Sequence, residues 1–489
     1  MKLRDLLNNI RYKTHGNSDL LESEVLSLSS DSRNFEMGTL FFALKGVSLN
    51  GHDFIHSLEN QGVVMFLGTE LVQLNQGGIY IQVEDAKKAL GIISSRFYDD
   101  PSHQLKVVGV TGTNGKTTIA TLLFQLFKSF GYKTGLISTV ENKINDIVIP
   151  ATHTTPDAIS LHALLASMRD HCCEYVFMEI SSHAIDQDRI YGLKIEGAIF
   201  SNISHDHLDY HGNFQNYIYA KKKLFDQLGS KSFALVNMDD KRGPIMIQNT
   251  EAHVYKYGLY SDVDYKGKII ENTMEGLCLE INQTELNSRL VGDFNAYNLL
   301  AVYGTALLLG EDKMDVLEHM SLLVAAEGRF DRIYDELTGI HAIVDYAHTP
   351  DALDKVLETV NKMRQGSTKI ITVFGCGGNR DKAKRPEMGR LAVKWSDRVI
   401  ITSDNPRNEN PMEILKEIET GIDAKDKHKV FLIEDRRQAI RISIQWASKG
   451  DIVLVAGKGH EKYQELAGVK YIFEDREEIK LALEELKNN

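Results

Sequence analysis

Residues 107–118 read V-V-G-V-T-G-T-N-G-K-T-T, a glycine-rich turn between a stretch that predicts a strand and one that predicts a helix. Such turns are typical of loops that bind nucleotide phosphates, because Gly112 and Gly115 let backbone N–H groups approach phosphate oxygens. Lys116 would bring a positive charge to the outer phosphates, and the Thr117 hydroxyl would ligate the accompanying Mg²⁺. The stretch predicts a nucleotide-binding loop; the alternative is an ordinary glycine-rich turn.

One position of this loop departs from the common phosphate-loop pattern. That pattern has a glycine five residues before Gly115, where this chain has Val110. The form T-G-T-N-G-K-T favours a narrower group of nucleotide-binding proteins over motor ATPases and GTPases. We include the neighbouring side chains of Thr113, Asn114 and Thr118 in the predicted nucleotide site.

Length, composition and charge limit the class of protein. The chain has 489 residues, 43% hydrophobic and 25% charged, which fits a globular protein of about three domains. A net charge of −12 argues against a nucleic-acid partner. Because no apolar run reaches the length of a membrane span, we expect a cytoplasmic protein without membrane insertion. We also expect a monomer. The cysteines lack the spacing of zinc sites and disulfide frameworks: Cys172, Cys173, Cys278 and Cys376.

Apolar strand patterns divide the chain into three predicted α/β domains. Residues 1–104 contain short apolar stretches such as T-L-F-F-A-L at 39–44 and predict a small α/β module. Residues 105–331 alternate strand and helix patterns around the phosphate loop, which predicts a central, doubly wound ATPase-like sheet. The alternation restarts in residues 332–489 and predicts a Rossmann-like α/β domain. Strand ends of the last two domains would meet around one substrate.

Two polar clusters follow apolar strands of the central domain. Glu179 closes the strand Y-V-F-M-E, so it is either a Mg²⁺ ligand near the phosphate loop or a solvated group at a strand end. The segment F-S-N-I-S-H-D-H-L-D-Y-H-G at 200–212 holds three histidines and two aspartates, which predicts a binding site. A polar turn that satisfies its own backbone would explain Ser204 and Asp206 but not all five groups.

Three further residues are candidates for the nucleotide site. Asn295 and Asn298 lie three apart at the start of an apolar helical stretch, so their amides share a face. They either read an adenine edge or form a helix cap and a surface group. Arg329, in E-G-R-F, lies at the predicted domain junction and either reaches a phosphate or forms a surface ion pair.

The last domain has its own polar cluster, in the motifs D-Y-A-H-T-P-D-A-L (345–353), G-C-G-G-N-R-D-K-A-K-R-P (375–386), S-D-N-P-R-N (403–408) and G-K-G-H-E (457–461). Arg380 and Arg407 can form paired hydrogen bonds to carboxylates, and Asp404 and Glu461 would suit an ammonium group. Together they predict a pocket for a zwitterion. Taken singly, Asn405-Pro406 is also a turn signal and Arg407 a candidate solvated side chain.

The chain resembles the Mur ligases, ATP-dependent amide-forming enzymes of peptidoglycan precursor synthesis. The resemblance covers nearly the whole chain and rests on motifs in the family's order: T-G-T-N-G-K-T-T, M-E-I-S-S-H, N-I-S-H-D-H-L-D-Y-H-G, Y-I-Y-A-K, G-D-F-N-A-Y-N, E-G-R-F and D-Y-A-H-T-P-D-A-L. G-C-G-G-N-R-D-K-A-K-R-P and D-N-P-R are similar to the members that add meso-2,6-diaminopimelate to UDP-N-acetylmuramoyl-L-alanyl-D-glutamate. Lysine-adding members usually lack that arginine, so the resemblance implies that Arg407 selects the amino acid.

The resemblance also implies binding roles for residues along the whole chain. The implied ATP site is formed by Gly112, Thr113, Asn114, Gly115, Lys116, Thr117, Thr118, Asn295, Arg329 and Asp345. The implied site for the UDP-sugar peptide is formed by Ser30, Ser32, Val47, Ser48, Leu49, Thr154, Thr155, Ser181, Gln187 and Arg189. The implied diaminopimelate site is formed by Arg380, Asp404, Asn405, Pro406, Arg407, Gly457 and Glu461.

The resemblance implies that ATP converts the D-glutamyl carboxylate into an acyl phosphate, which the amine of diaminopimelate then attacks. The implied catalytic residues are Lys116, Glu179, His207 and Lys221. Mg²⁺ would be held by Thr117, Glu179, His207 and Lys221, the last as a carbamate. By sequence rules alone, a lysine in a K-K-K run is normally solvated. His205 stands where many relatives have arginine, which leaves its role open.

Several alternatives remain open from the sequence. A lysine-adding relative or a folylpolyglutamate synthetase-like ligase would share the phosphate loop and the central fold. D-N-P-R argues against the lysine-adding relative, and the N-terminal module and D-N-P-R argue against the folylpolyglutamate synthetase. A regulatory protein with a phosphate loop would bind nucleotide without joining two substrates. A nucleic-acid-dependent ATPase is disfavoured by the acidic charge.

Overall fold

The structure, a computed structural model, describes residues 1–46, 49–151, 153–204 and 206–488. Within these ranges the sheets fall in three successive parts of the chain, at 12–83, 106–288 and 331–456, followed by a hairpin at 463–472. The predicted α/β class is confirmed, whereas the predicted boundaries at 104/105 and 331/332 stay predictions. None of the helices in the described part of the chain is long and apolar enough to cross a membrane.

The N-terminal module is one sheet with short helices. Its strands are β1 (Tyr12–Gly16), β2 (Ser27–Ser29), β3 (Thr39–Ala43), β4 (Met65–Gly68) and β5 (Ile79–Val83). Its helices are α1 (Leu3–Leu6), α2 (Ile55–Asn60) and α3 (Ala86–Phe97). The sheet order is β1-β5-β4-β3-β2, and β1 alone runs antiparallel to its neighbour in this described sheet. Helix α3 begins at Asp85, whose carboxylate accepts hydrogen bonds from the backbone of Lys87 and Lys88.

The central part is a long mixed sheet. Its strands are β6 (Lys106–Thr111), β7 (Thr134–Ile137), β8 (Glu141–Ile144), β9 (Ile147–Pro150), β10 (Tyr175–Glu179), β11 (Gly197–Phe200), β12 (Phe233–Asn237), β13 (His253–Gly258), β14 (Tyr265–Asn272), β15 (Leu277–Ile281) and β16 (Thr284–Ser288). They pair in the order β16-β15-β14-β13-β12-β11-β6-β10-β7-β8-β9. The middle strands are parallel, and antiparallel hairpins extend both edges.

Helices cover both faces of this sheet, as the doubly wound prediction requires. They are α4 (Lys116–Ser129), α5 (Ala158–Asp170), α6 (Ser182–Asp186), α7 (Leu208–His211), α8 (Phe214–Asp226), α9 (Gly243–Met246), α10 (Asp293–Leu308) and α11 (Lys313–Met320). Side chains alternate along β6. Val108 and Val110 belong to the core beneath α4 and α10, whereas Val107 belongs to the core beneath α5 and α8. A strand buried on both faces explains the continuous apolar run before the phosphate loop.

The C-terminal part repeats this architecture with a smaller sheet. Its strands are β17 (Asp331–Tyr334), β18 (His341–Asp345), β19 (Ile370–Phe374), β20 (Arg398–Ile401), β21 (Val430–Leu432) and β22 (Ile452–Ala456), in the order β17-β18-β22-β19-β20-β21. A hairpin, β23 (Tyr463–Leu466) and β24 (Val469–Ile472), follows. The helices are α12 (Pro350–Lys362), α13 (Lys384–Trp395), α14 (Pro411–Glu419), α15 (Arg436–Trp446) and α16 (Asp475–Asn488).

Strand register places the polar motifs at one edge of each sheet. In the C-terminal sheet, Asp345 and Phe374 both pair with Ala456, and Phe374 pairs with Ile401. The motifs that follow these four strands therefore begin at the same level. In the central sheet, Glu179, the last residue of β10, pairs with Val110, the last but one residue of β6. The phosphate loop follows β6 directly. Loops beyond the carboxyl ends of parallel strands are where such sheets bind ligands.

Candidate active site

The phosphate loop connects β6 to α4 and needs both of its glycines. Gly112 and Gly115 have φ values of 153° and 88°, in the region that favours glycine. A Cβ atom at Gly112 would lie 2.0 Å from Oγ of Ser201, and one at Gly115 would lie 2.6 Å from Oδ1 of Asn298. The loop is therefore shaped by close contact with Ser201, after β11, and with Asn298 of α10, and its nucleotide-binding role stays a prediction.

Lys116 is the first residue of α4 and folds back over the loop. Its Nζ donates to the carbonyl oxygens of Gly112, at 3.0 Å, and Thr113, at 2.9 Å. Burial lowers the pKa of Lys116, while the carboxylates of Glu179 and Asp206 oppose that shift. The loop lysine thus shares one electrostatic environment with both predicted acidic groups.

Lys221, on α8, touches the same loop. Only 1% of the residue is exposed, and its Nζ donates to the carbonyl oxygen of Gly112 at 2.8 Å. Its Nζ also lies 4.7 Å from the centre of the Tyr217 ring. Burial, followed by the nearby charge of Lys116, holds the pKa of Lys221 well below its usual range. The expectation of a solvated K-K-K run is wrong at this residue, because this face of α8 packs onto the phosphate loop.

Glu179 is fully buried at the end of β10 and is not the solvated group of the alternative interpretation. Its two carboxylate oxygens accept hydrogen bonds from the backbone N–H of Thr139, at 2.7 Å, and from the Thr139 hydroxyl, at 3.2 Å. The same hydroxyl lies 3.0 Å from Oγ1 of Thr154. Through Thr139, Glu179, a predicted metal ligand, is therefore connected to Thr154, a residue predicted to contact the peptide substrate.

His207 is another of the residues predicted to bind Mg²⁺. Its Nε2 is 3.5 Å from Oδ2 of Asp206, and its ring centre is 4.8 Å from that of His183. Among the described residues, no group of three or more His, Cys, Asp and Glu side chains is arranged to hold a metal ion by itself. The oxygen donors of Thr117 and Glu179 still suit Mg²⁺, because protein Mg²⁺ sites commonly use one or two carboxylates and complete the shell with phosphate oxygens and water.

The residues predicted for the peptide substrate in the central domain form one hydrogen-bonded group. The Thr155 hydroxyl donates to the Glu179 carbonyl at 2.8 Å and accepts from the Ser181 N–H at 3.1 Å. Arg189 donates to the Thr155 carbonyl at 2.9 Å and to Oε1 of Gln187 at 3.0 and 2.7 Å. The structure thus brings these side chains to the end of β10, next to the phosphate loop.

Three residues of the N-terminal module that were predicted to bind the substrate follow strands β2 and β3. Ser30 is exposed, Ser32 is half-buried, and 67% of Leu49 is exposed. In the part of the chain that is described, no hydrogen bond joins these three to the group around Thr155. Val47 and Ser48, which were predicted with them, lie outside the described residues, as does His205.

Asn295 and Asn298 are buried in the first turns of α10. Nδ2 of Asn295 donates to the Val291 carbonyl at 2.7 Å, and its Oδ1 accepts from Asn298 at 2.9 Å. Gly292 precedes the helix, without a side-chain cap. The alternative of a cap and a surface amide is therefore wrong, since both side chains are buried and Asn298 contacts Gly115 of the phosphate loop.

Arg329 crosses from the domain junction to the phosphate loop. Its Nη2 donates to the hydroxyl of Thr117 at 3.3 Å, and its guanidinium lies 4.5 Å from the centre of the Tyr346 ring. Its Nε is buried with no hydrogen-bond partner among the described atoms, so a donor remains for a ligand. The alternative of a surface ion pair is not supported. Asp345 accepts backbone bonds from Phe330 and Ala347, and burial raises its pKa.

One contact between the two domains escaped the sequence reasoning. The carboxylate of Asp351, in the first turn of α12, accepts from the Ser204 hydroxyl at 2.8 Å and from Nδ2 of Asn114 at 3.4 Å. In the sequence, only the position of Asp351 in the motif D-Y-A-H-T-P-D indicated a role. The two residues that it binds lie more than a hundred positions away in the chain. Asp351 thereby ties the C-terminal domain to the phosphate loop and to the histidine-rich segment.

Two loops carry the predicted arginines of the amino-acid pocket. Arg407 has φ 51°, its Nη1 donates to the Gly378 carbonyl at 2.9 Å, and its Nε lies 3.4 Å from Oε2 of Glu465. A Cβ atom on Gly377 would lie 3.0 Å from Nη1 of Arg407 and 3.7 Å from Cγ of Arg380. The two arginines therefore flank one stretch of backbone, and Arg407 is not simply solvated.

The predicted ammonium-binding residues Asp404 and Glu461 are in contact with other residues of the pocket. Nδ2 of Asn405 donates to Oε2 of Glu461 at 2.7 Å, and a Cβ atom on Gly457 would lie 2.8 Å from Oδ2 of Asp404. Burial, followed by the charge of Asp404, raises the pKa of Glu461. Pro406 packs against the backbone of Gly378, in the loop that carries Arg380: a Cβ atom on Gly378 would lie 1.9 Å from the Pro406 carbonyl oxygen.

A buried arginine holds the two arginine-bearing loops together. Arg385, which is fully buried, donates to both carboxylate oxygens of Glu409, at 3.0 and 3.1 Å, to Glu417 at 2.5 Å and to the Gly377 carbonyl at 3.1 Å. Glu409 also accepts a bond from the backbone N–H of Asn379. The sequence reasoning missed this residue, because R-D-K-A-K-R offers several equivalent basic side chains and only packing distinguishes them.

Comparison with protein families agrees with this arrangement along the chain. Residues 24–98 match the model described as the Mur ligase family catalytic domain. Residues 110–306 match the Mur ligase middle domain, and residues 328–459 match the Mur ligase glutamate ligase domain. The matches occur in the order of the three sheets described above.

Individual relatives extend the similarity to the full length. The UDP-N-acetylmuramoyl-L-alanyl-D-glutamate–2,6-diaminopimelate ligase of Cytophaga hutchinsonii is 54% identical, over 99% of this chain and 100% of the relative. The enzyme of the same name from Bacteroides fragilis is 51% identical over 98% of this chain and 99% of the relative. A solved structure of a ligase with this name is 32% identical, with a TM-score of 0.73 and complete coverage of both chains. The chain belongs to the Mur ligase family.

Proposed function

We propose that this chain joins meso-2,6-diaminopimelate to the D-glutamyl carboxylate of UDP-N-acetylmuramoyl-L-alanyl-D-glutamate and converts ATP to ADP and phosphate. The observation that carries the proposal is the contact of Asp351, in the C-terminal domain, with Asn114 of the phosphate loop and with Ser204. Through it, the domain that holds the arginine and acidic pocket meets the phosphate loop. The site that would bind ATP and the pocket that would bind the amino acid are thus on the two sides of the junction between the central and C-terminal domains. The full-length relatives bear the name of this activity, which supports the choice of substrates.

In the first step, an oxygen of the D-glutamyl carboxylate attacks the γ-phosphorus of ATP. The bond from the γ-phosphorus to the bridging oxygen breaks, so an acyl phosphate forms and ADP leaves with the bond's electron pair. Lys116 and the free Nε of Arg329 would stabilise the charge on the transferred phosphoryl group, because preorganised donors act strongly in a site that excludes water. Mg²⁺, when bound, neutralises phosphate charge; we propose Thr117, Glu179, His207 and carbamoylated Lys221 as its protein ligands.

In the second step, the neutral amine of diaminopimelate attacks the activated carbonyl carbon. The tetrahedral adduct loses a proton and expels phosphate, and an amide remains. The group around Thr155 and Arg189 would hold the peptide near the phosphate loop, and the pocket of Arg407, Asp404 and Glu461 would hold the far end of the amino acid. The protein would therefore contribute mainly by positioning the two substrates and by stabilising charge.

Modification of Lys221 fits its surroundings. A carbamate forms when a neutral amine attacks CO₂ and releases a proton, and burial beside Lys116 favours the neutral amine. The product is a carboxylate-like group on a side chain that already reaches Gly112. We propose that it completes the oxygen shell of Mg²⁺. We also place the reaction in the cytoplasm, with the chain acting as a monomer in peptidoglycan precursor synthesis.

Phosphate release tests the proposed function. The purified chain would be assayed with ATP, Mg²⁺ and the UDP-muramoyl dipeptide, together with meso-diaminopimelate, L-lysine or L-ornithine in parallel. We expect release that requires both the dipeptide and diaminopimelate, with much slower release for the other two. Equal rates with lysine would contradict the role of Arg407 in selection. ATP binding without release that depends on both substrates would instead support the regulatory alternative.

A further inference from the structure

A buried lysine lies at the centre of the predicted amino-acid pocket. Lys458 follows β22 and has a fully buried side chain. Its Nζ lies 3.0 Å from Oδ1 of Asn405, 3.2 Å from Oε2 of Glu461 and 3.8 Å from Oδ1 of Asp404. These three partners are residues predicted to contact diaminopimelate. The pocket therefore contains an ammonium group of its own between the groups that would receive one from the substrate.

The hydrogen bonds make these residues a closed network. Oδ1 of Asn405 accepts from Lys458 and from the backbone N–H of Glu465, at 2.9 Å, while its Nδ2 donates to Glu461. Each polar atom of the amide is thereby used, so the amide orientation is fixed. Oε2 of Glu461 accepts from both Asn405 and Lys458. Removing the lysine would leave Oδ1 of Asn405 and Oε2 of Glu461 with one hydrogen bond fewer each.

Charge balance gives Lys458 a second effect. Asp404 and Glu461 together carry two negative charges when ionised, and Lys458 reduces the net charge of the cluster to one. A single ammonium group of a zwitterionic amino acid then balances the cluster. Without Lys458, two buried carboxylates would face one ammonium, and one carboxyl would take up a proton instead, because nearby like charges raise each other's pKa.

Among the described residues, no charged side chain other than Lys458 forms an ion pair with Asp404 or Glu461. Arg436, on α15, is balanced by Asp475 through two hydrogen bonds of 2.7 Å. Burial lowers the pKa of His460 to about 3, so this side chain is neutral near pH 7. Burial raises the pKa of Tyr346 to about 12 and that of Cys376 to about 12, so both stay protonated. Nearby, the ring centre of Tyr463 is 5.5 Å from Nζ of Lys458, Glu465 pairs with Arg407, and the Arg329 guanidinium lies 4.5 Å from the centre of the Tyr346 ring.

We propose that Lys458 is a positioning residue for the amino-acid substrate, which orients Asn405 and Glu461 and matches the net charge of the acidic pair to one substrate ammonium group. This inference rests on the proposed function. It makes Lys458 a determinant of affinity for the amino acid and not of affinity for ATP.

Three variants test the charge balance: Lys458→Met, Glu461→Gln and the double variant. The readouts are half-saturation by diaminopimelate and by ATP, kcat, and the pH profile of kcat/KM for diaminopimelate. Lys458→Met should raise the KM for diaminopimelate about tenfold or more, with the KM for ATP unchanged. Its acidic limb should move to higher pH, because loss of a positive neighbour raises the carboxyl pKa. In the double variant the cluster again has a single net negative charge, as in the wild type, so this variant should bind diaminopimelate better than either single variant.

Lys470→Met is the matched control. Lys470 is exposed, and its Nζ lies 4.1 Å from the same Tyr463 ring, so its removal should leave all readouts unchanged. The inference is overturned if Lys458→Met stays within about twofold of wild type, or if its acidic limb does not move and the double variant is weaker than both singles. If Lys458→Met does not fold, tighter binding by the double variant than by Glu461→Gln supports the inference, and equal or weaker binding overturns it. Absence of diaminopimelate-dependent release from the wild type would instead contradict the proposed function itself.

Discussion

The Nζ atom of Lys221 lies 2.8 Å from the carbonyl oxygen of Gly112, so a lysine of helix α8 touches the phosphate loop itself. Lys116 donates to the same oxygen at 3.0 Å. Burial, followed by the positive charge of Lys116, lowers the pKa of Lys221 well below its usual range. This contact gives a structural reason for a modified lysine at a position where the sequence shows only a basic run.

Substitution Lys221→Ala should abolish ligase activity, and a small carboxylate such as acetate should restore part of it. The reason is that acetate can supply the oxygens that the carbamate would have provided. Steady-state phosphate release with and without acetate measures this. Lys223→Ala is the control, since Lys223 is half exposed and pairs with Asp186 at 3.2 Å. Full activity of Lys221→Ala without acetate would rule out the carbamate.

Substitution Arg407→Ala should weaken diaminopimelate binding and leave ATP binding intact. Loss of a charge-assisted pair with the substrate carboxylate removes about 1.5–3 kcal/mol, which corresponds to a rise in KM of about 10- to 150-fold. Initial rates at varied diaminopimelate and saturating ATP measure the change. Arg437→Ala, in the same domain but paired with Glu478 at 2.9 Å, serves as the control. An unchanged KM for diaminopimelate would refute the role of Arg407.

Substitution Arg329→Met should raise the KM for ATP about tenfold or more, because a charged donor to the nucleotide is lost. The KM for diaminopimelate should change less, since Arg329 forms no hydrogen bond or ion pair with a described residue of the pocket around Arg407. Half-saturation by each substrate would be compared with that of Arg364→Met, whose arginine pairs with Asp397 at 3.1 Å away from the site. Equal ATP half-saturation in Arg329→Met and wild type would show that the free Nε does not contact nucleotide.

Substitution Arg385→Met should destabilise the C-terminal domain by about 3 kcal/mol, because it leaves partly buried carboxylates without their buried cation. Urea denaturation followed by tryptophan fluorescence measures the loss. Lys382 provides a matched control, since it pairs with the same Glu409 and Glu417 but is 60% exposed. Lys382→Met should therefore cost less than about 1 kcal/mol. Equal losses in the two variants would contradict the importance of the buried bonds.

Glu409 should make stability depend on pH in the acid range. The hydrogen bonds from Arg385 lower the pKa of Glu409 from 4.5 to about 2. A lowered folded-state pKa stabilises the protein above the unfolded value, and this contribution is lost as the pH falls from about 4.5 towards 2. Urea midpoints of wild type and Glu409→Gln should therefore differ near neutral pH and converge in acid. A constant difference across this range would contradict the assignment.

Particular residues show what could be predicted without coordinates. The phosphate loop, Glu179 at a strand end, and the pair Asn295 and Asn298 were recognisable, because local spacing determines strands, turns and helix faces. Lys458, Arg385 and Asp351 were not predicted. Each is one charged residue among several in its motif, and its importance depends on partners from distant parts of the chain.

The sequence by itself determined the α/β class, the nucleotide loop and the order of motifs, because alternating apolar strands and glycine turns act over a few residues. Only the tertiary structure decided which charges are buried and which groups they meet. Lys221 and Lys223 are the same residue type two positions apart on one helix, yet one is buried against Gly112 and the other is half exposed beside Asp186. Burial and proximity set the protonation of such groups, and both are properties of the packed molecule.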